Sequence, residues 1–571
     1  MTLLDNGSPG YSRDVLIDGA IVWLLEVEYA GAIWRWSSRP IDVSSDIGTL
    51  TYPGGLSALD VEDSLGIVSE SGDERSISLS LLWPAPGVAL LIQRGHDLAA
   101  ALGQLSYLIE GQPWESRVVV IHGMISQPEY EADNQPVNFT LIERPWDDIA
   151  QIVAPEYRID ATTWPTSPVA TTNQRYPVPM FGAAASSRRG PGGAAVGLSP
   201  AYPLALNVGD GGVDKLIISA YPVAAATVQA GTIVDNVYDT ASFSVASTTD
   251  ALGREVYYID TSASSATIRY ASAWYVTDWN EGGILGNLEP GRPITTAGEM
   301  LYWLAARSSV RVDLPRFASI VGALSWPVEA YVDGDASPLQ FIVDRLLPIL
   351  PVSLVCGPNG IQPVLWRYDA RATDAVEAIA NNVNAARVGA VTYTAKPSEL
   401  IQRIVLDYAW DAGFNDYTRQ LIVEPPPSGP APAGSSDPRK VHNAFLRAAA
   451  NRYSDDDPRR YRTLNVQSDL IGSDVTAARF LAWKCRQVGY SPRLVEYDVG
   501  QELGWLELGA VVSLTDSELY LSSIVALVVG RTITDTGLWR LRLQILDDLA
   551  TATAVDPSLS QDTPPSWSGT Q

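Results

Sequence analysis

Apolar and polar side chains alternate along most of this chain, and only a few stretches change to a helical period. Trp23, Leu25, Val27 and Tyr29 share one face opposite Leu24, Glu26 and Glu28, and Ala30-Gly31 turns the chain into AIWRWS. RSISLSLLW predicts a strand with Ile77, Leu79 and Leu81 inward and Ser76, Ser78 and Ser80 outward. Long strands are predicted in RVVVIHGMIS and VNFTLIER. Helical spacing first occurs in GVALLIQRGHDLAAALG, where Leu91, Leu98 and Leu102 predict a helix that stops at Gly103. A second signal is the capping box from Thr296 to Glu299, ahead of Met300, Leu301 and Leu304. Ser337, Pro338 and Gln340 predict another helix start, with Leu339, Ile342, Val343, Leu346 and Leu347 along one side. VSLVCGPNGIQPVLWRY then predicts a hairpin turning at Pro358-Asn359-Gly360.

The last third repeats the strand pattern around one strong helix. Ile404, Leu406, Tyr408 and Trp410 alternate, and GFND turns the chain into YTRQLIVE. In SDVTAARFLAWKCRQVGY, Ser473 or Asp474 is the N-cap, Gly489 the stop, and Ala478, Leu481, Ala482, Cys485 and Val488 form the apolar stripe. Val495, Tyr497 and Val499 alternate, as do Trp539, Leu541, Leu543 and Ile545 beyond an Asp535-Thr536-Gly537 turn. The helix is expected to bury its stripe on the sheet these strands make.

The expected fold is mainly β with some α, in several domains. Residues 1–150 form a β-barrel with a flanking helix, and 151–293 a small β domain entered by a Pro/Gly-rich loop. Residues 294–390 form an α/β domain. Residues 391–549 form a second barrel with a flanking helix, interrupted by the Pro-rich linker 425–440 between strands of one domain. Residues 550–571 lack periodicity and are expected to be disordered, so removing 551–571 should leave the fold intact.

The order of helix and strands from Ser473 to Leu546 resembles the closing domain of bacteriophage tail hub proteins. The hairpin at Pro358-Asn359-Gly360 resembles part of the α/β domain that braces the barrels in those hubs. YPVPMFG resembles a Pro-rich strand of tail-tip proteins, and reads equally as an edge strand that prolines keep from pairing. The resemblance implies two tube-like barrels per chain and a homotrimeric ring. That ring would join the hexameric distal tail protein, receive the C-terminus of the tape-measure protein, and close or continue the DNA channel. It implies a structural baseplate or tail-tip protein of the virion, in contact with fibre proteins, made in the host cytoplasm and rearranging during DNA ejection. A hub of a contractile secretion device fits the same pattern.

Composition narrows the chemistry. A formal charge of −26 excludes a general nucleic-acid binder, which needs clustered cations on phosphates. Only Lys215, Lys396, Lys440 and Lys484 are lysines, a bias that reflects a GC-rich genome; an acidic channel wall that lets DNA slide is the functional reading. No run spans a bilayer, and the start lacks the basic and apolar regions of a leader, which predicts a soluble cytosolic product with no membrane span. Cys356 and Cys485 read as buried free thiols. His96, His122 and His442 make no HxH or HExxH signature, and Gly209-Asp210-Gly211-Gly212 reads as a turn. Asp455-Asp456-Asp457 and the acidic run from Asp333 to Asp335 read as solvated loops and not calcium ligands. No catalytic, cofactor-binding or metal residue is therefore predicted. Two alternatives remain: a wall-degrading glycosidase, which needs only two carboxylates across a cleft, and a carbohydrate- or receptor-binding tail protein.

Overall fold

The computed structural model describes residues 19–29, 31–57, 61–64, 75–82, 98–129, 136–143, 150–167, 173–176, 178–181, 188–189, 195–196, 202–203, 206–207, 215–222, 227–234, 237–260, 270–272, 294–332, 336–357, 359–393, 399–411, 416–425, 440–443, 446, 458–489, 491–533 and 539–546. It is a multidomain, mainly β fold with some α, as the sequence pattern predicts.

Two large sheets frame it. The first is antiparallel throughout and runs Ala32–Ser37, Ile21–Tyr29, Leu102–Ile109, Val118–Glu129, Val137–Glu143, Arg75–Leu81 and Leu56–Ser57. Ile77, Leu79 and Leu81 face inward as their alternation predicts. The second runs Glu377–Ala380, Val511–Asp516, Leu521–Ile533, Trp539–Ile545, Arg493–Val499 and Ala385–Tyr393. Its two edge strands are consecutive in the chain, and the Asn381–Asn384 turn joins them, so the sheet curls into a nearly closed barrel. Tyr497, Leu541 and Leu543 point into it.

The two sheets share one core. Val22, Trp23, Tyr107 and Leu141 of the first pack with Tyr497, Val528, Trp539 and Leu541 of the second. The link between Ser57 and Arg75 also lends Val61–Ser64 to the second sheet, antiparallel to residues 530–533. Fully burying each aliphatic side chain of such a core contributes roughly 1.5–3 kcal/mol, which is what keeps the barrels together.

A third sheet, in the small β region, runs Tyr202–Pro203, Tyr270–Ser272, Thr227–Val234, Val237–Thr249, Glu255–Asp260, Lys215–Ser219 and Leu206–Asn207. Val178–Phe181, from the YPVPMFG stretch, pairs with Ala330–Val332 in a separate two-stranded sheet, and its register shifts between Val178 and Phe181.

Helix α1 (Ala297–Ala305) starts at the predicted capping box, with Thr296 accepting from Glu299 N and the Glu299 side chain accepting from Thr296 N. Helix α2 (Leu314–Ile320) is capped by Asp313. Helix α3 (Pro338–Phe341) is capped by Ser337 and continues as a π turn over Ile342–Leu346, which keeps the predicted face of Leu339, Ile342, Val343, Leu346 and Leu347 buried. Helix α4 (Asp474–Val488) has Ser473 as N-cap and Gly489 as C-cap.

Three expectations need correction. Helix α4 does not lie on the second barrel: Phe480, Leu481 and Cys485 belong to the core built from α1, α2 and the strand Arg403–Asp411. The barrel's apolar outer patch, Leu494, Val511, Val525, Leu527 and Val529, is covered instead by Val355, Val364 and Trp366, and beside it Arg540 pairs with Asp498 at 2.8 Å and Arg542 with Glu496 at 3.8 Å. Second, the helix expected to end at Gly103 gives way to a strand by Leu102, since Gly103 pairs with Val27 and Gly123. Gly103 serves close packing instead: a Cβ there would sit 2.9 Å from Leu141 Cδ1. Residues 83–97, including Leu91 and His96, lie outside the described residues. Third, Cys356 is only half-buried, whereas Cys485 is buried.

The interval 391–549 therefore contributes to two sheets. The strands Lys440–His442, Asp416–Glu424, Arg403–Asp411 and Thr463–Ser468 form a mixed sheet under α4, and the linker joins two neighbours of that sheet. Ile404, Leu406 and Tyr408 face the helix, while Trp410 is half-exposed beyond Ala409, whose φ of 57° breaks the regular strand geometry. Residues 412–415 at the GFND turn, the Asp535-Thr536-Gly537 turn, Gly209 to Gly212, Asp333 to Asp335, Asp455 to Asp457, the body of the linker and residues 547–571 lie outside the described residues.

Candidate functional site

The residues with most to do lie where the barrels meet each other and their neighbours. The hairpin of Val352–Gly357 and Gly360–Leu365 has two apolar faces. Val352, Leu354 and Ile361 enter the α/β core, while Val355 and Val364, with Trp366 just beyond, cover Leu494, Val511, Val525, Leu527 and Val529 on the second barrel. Alternation along each strand requires this division, and it makes the hairpin a brace between two bodies. Arg316 of α2 adds an ion pair to Glu507 at 2.6 Å.

Between the first sheet and the hairpin that covers it, a charged cluster replaces apolar packing. Glu26 is 1% exposed and accepts from Arg35 Nε at 3.0 Å and from the Tyr52 hydroxyl at 2.9 Å. Arg117, fully buried, stands 3.7 Å from Glu26 and lies over the Trp114 ring at 3.4 Å. Trp114 Nε1 donates to the Tyr52 hydroxyl at 2.8 Å. Burial, then the Glu26 charge, drives the Tyr52 phenol far above its ordinary range. The cluster pins the hairpin Ile41–Ser45 and Gly48–Tyr52 to the barrel, and Glu115 holds the hairpin tip through Asp46 N at 2.8 Å.

The second barrel has a counterpart. Asp516 accepts from the Tyr497 hydroxyl at 2.8 Å and from Glu518 N at 3.0 Å, and Arg387 Nε stands at 3.2 Å. Burial pushes the Asp516 carboxyl up, but these hydrogen bonds outweigh it and bring it below its usual range. The network fixes a turn in which Tyr520, at φ 56°, is 96% exposed.

In the first network Glu26 Oε1 is engaged by Arg35 and Tyr52, while Oε2 faces Arg117 at 3.7 Å without a hydrogen bond among the described residues; in the second, Asp516 is engaged by Tyr497 and Glu518 N. Of the predicted chemistry, His122 lies in the strand Val118–Glu129, where burial and then Arg311 lower its pKa. His442 ends the strand Lys440–His442. A glycosidase needs a carboxyl with a raised pKa, and among the described residues burial produces one at Glu329, pushed up to about 8. Glu329 is sealed inside the α/β region, 4% exposed, and its Oε2 has no hydrogen-bond partner among the described residues. Sequence reading missed both Glu329 and the Glu26–Arg117 pair, because an acidic residue in an alternating strand is expected to face water. No group of three or more His, Cys, Asp or Glu side chains among the described residues could hold a metal ion. No helix among them is long and apolar enough to cross a membrane.

No protein-family model matches the chain, and no curated protein does. Solved structures do. A 43 kDa tail protein of prophage MuSo2 from Shewanella oneidensis is similar over 93% of this chain and 97% of its own, at 10% identity and a TM-score of 0.37. A tail protein from Neisseria meningitidis MC58 is similar over 93% and 98%, at 10% identity and a TM-score of 0.30. A chain of a native gene transfer agent virion is similar over 68% and 87%, at 11% identity and a TM-score of 0.35. The solved structures to which this chain is similar are thus phage tail and gene-transfer-agent particle proteins.

Proposed function

We propose that this chain is a structural hub of a tailed particle, positioned at the tail tip or baseplate of the virion. The observation that carries the reading is the single core shared by two large sheets, one of them a nearly closed barrel, with Val61–Ser64 from the link of the first sheet built into it. Barrels fixed side by side in one chain supply two of the six positions of a ring, so three chains would close a pseudo-sixfold homotrimer. Such a ring matches a hexameric tail tube formed by the distal tail protein, surrounds the DNA path, and offers its lumen to the C-terminus of the tape-measure protein.

The proposed division of labour follows from the same arrangement. Residues 1–150 form one ring unit, and residues from about 375 to 393 together with 491–549 form the other. The α/β region braces the second unit through its hairpin, and 151–293 is a peripheral β unit facing other tail-tip or fibre proteins. The part is structural and not enzymatic, a reading supported by burial of the charged clusters, with Glu26 1% exposed and Arg117 fully buried. The acid excess of the chain suits a channel in which DNA phosphates do not stick.

Native mass measurement together with negative-stain class averages tests the proposal. A trimeric ring with an axial channel is the expected result. A compact monomer that clears peptidoglycan in a zymogram overturns it in favour of the wall-degrading reading.

A further inference from the structure

The segment from Ser325 to Ala330 runs along the first turns of helix α4 and is tied to it at several points. Glu329 N donates to Leu470 O at 3.0 Å, Thr476 Oγ1 donates to Pro327 O, and Arg479 donates to Ser325 O at 2.8 Å. The Glu329 carboxyl lies against Gly472, so close that a Cβ on that residue would collide with both carboxylate oxygens. Every neighbour is a direct strap except this carboxyl, whose Oε2 is enclosed with no hydrogen-bond partner among the described residues.

We propose that Glu329 is a protonation-controlled latch: neutral, it lets residues 325–330 close on the start of helix α4, and ionised, it opens that seam. The surrounding charges supply the drive. Arg419, on the strand Asp416–Glu424, is the cation that acts on Glu329, but it is engaged by Asp474 at 2.7 Å. The Tyr408 hydroxyl also donates to Asp474, at 2.7 Å. Of the other charged groups nearby, Asp469 is committed to Arg345 and Glu299 to the amides of Thr295 and Thr296, while Arg479 donates through one terminal nitrogen to Ser325 O and keeps a buried Nε with no hydrogen-bond partner among the described residues. A carboxylate formed at Glu329 must either stay buried and unpaired or draw a cation to itself, Arg419 from Asp474 or Arg479 from Ser325, and each loosens the seam at the start of α4.

Linkage gives the direction. Burial pushes the folded carboxyl up to about 8 from its ordinary 4.5, so its contribution is complete below 4.5 and is lost as pH rises through 8. The latch does not depend on the hub reading; its use as a release step would rest on it.

Hydrogen exchange on the full-length chain, corrected for intrinsic rates, tests this between pH 6 and 9.5. Protection in peptides covering 325–330 and 473–480 should fall about tenfold, while that of 102–109 holds. Glu329→Gln should abolish the fall. An equal fall in Glu329→Gln, or none in the native chain, overturns the proposal. Infrared spectroscopy of the unaltered protein gives a second reading that needs no variant. A protonated-carboxyl band lost with a midpoint near 8 supports the latch, and its absence at pH 6 refutes it.

Discussion

Tyr107 of the first sheet meets Trp539 of the second edge to face, with ring centroids 6.0 Å apart and planes at 77°. Trp23 continues the contact, 6.0 Å from Tyr107 at 67°, and Arg531 lies over Trp539 at 5.2 Å. Aromatic faces are electron-rich and edges electron-poor, so this geometry adds to the area buried. Gly504 leaves room for it, since a Cβ there would stand 2.6 Å from the Trp539 ring.

Replacing Trp539 by Ala should cost about 3–5 kcal/mol, and Tyr107 by Ala a similar amount. A double-mutant cycle in urea should give a coupling of about 0.5–1.5 kcal/mol. Strictly additive losses would mean that the barrels do not meet through these rings.

Arg117 holds the first barrel's charged cluster together. Arg117→Met should destabilise the chain by about 3 kcal/mol, the low end for a broken buried pair because Arg35 still faces Glu26. Adding Glu26→Gln should not recover the loss, because in Arg117→Met the Glu26 carboxylate still holds Arg35 and the Tyr52 hydroxyl. Denaturant midpoints of the two variants check this, and an unchanged midpoint for Arg117→Met would show that the cluster holds nothing.

Leu481 and Leu541 are both fully buried, but in different cores. Leu481→Asp should therefore release α4 and the sheet beneath it, and Leu541→Asp the second barrel together with its contact to the first. Limited proteolysis distinguishes them by the position of the first cuts. The same cleavage pattern from both would mean that these cores unfold as one.

Local signals survived translation into structure well. The Thr296 box, the Ser337 cap and the ends of α4 each depend on side chains within four residues of the backbone they satisfy, so sequence spacing suffices to read them. Partner choice was less legible. An apolar stripe on α4 states that something must cover it, not which sheet does, and sequence does not tell that Val355, Val364 and Trp366 already occupy the barrel's apolar outer patch. Gly103 misled for a similar reason: a glycine after a helical pattern resembles a stop, whereas here it sits within a strand, close against the Leu141 side chain. The buried charges were hidden because Glu26 alternates correctly for a solvent face, and its partner Arg117 lies far along the chain.

Lys484 gives a prediction in the alkaline range. Its amine donates to Gln487 Oε1 at 2.6 Å and lies 5.0 Å from the Trp483 ring, yet burial still lowers its pKa to about 8 from 10.5. The folded chain therefore binds this proton less readily than the unfolded chain does between those values. Stability should rise with pH from about 8 to 10.5 on this account and stay level below 8. Lys484→Met keeps the length of the side chain and removes the titration. At pH 7 it should stabilise the chain by about 1 kcal/mol, a figure reduced because the lysine stays partly in contact with water, and the advantage should vanish near pH 10.5. Urea midpoints at pH 7, 9 and 10.5 for both proteins decide it. A constant difference across the three would assign the effect to packing against Trp483 and not to charge.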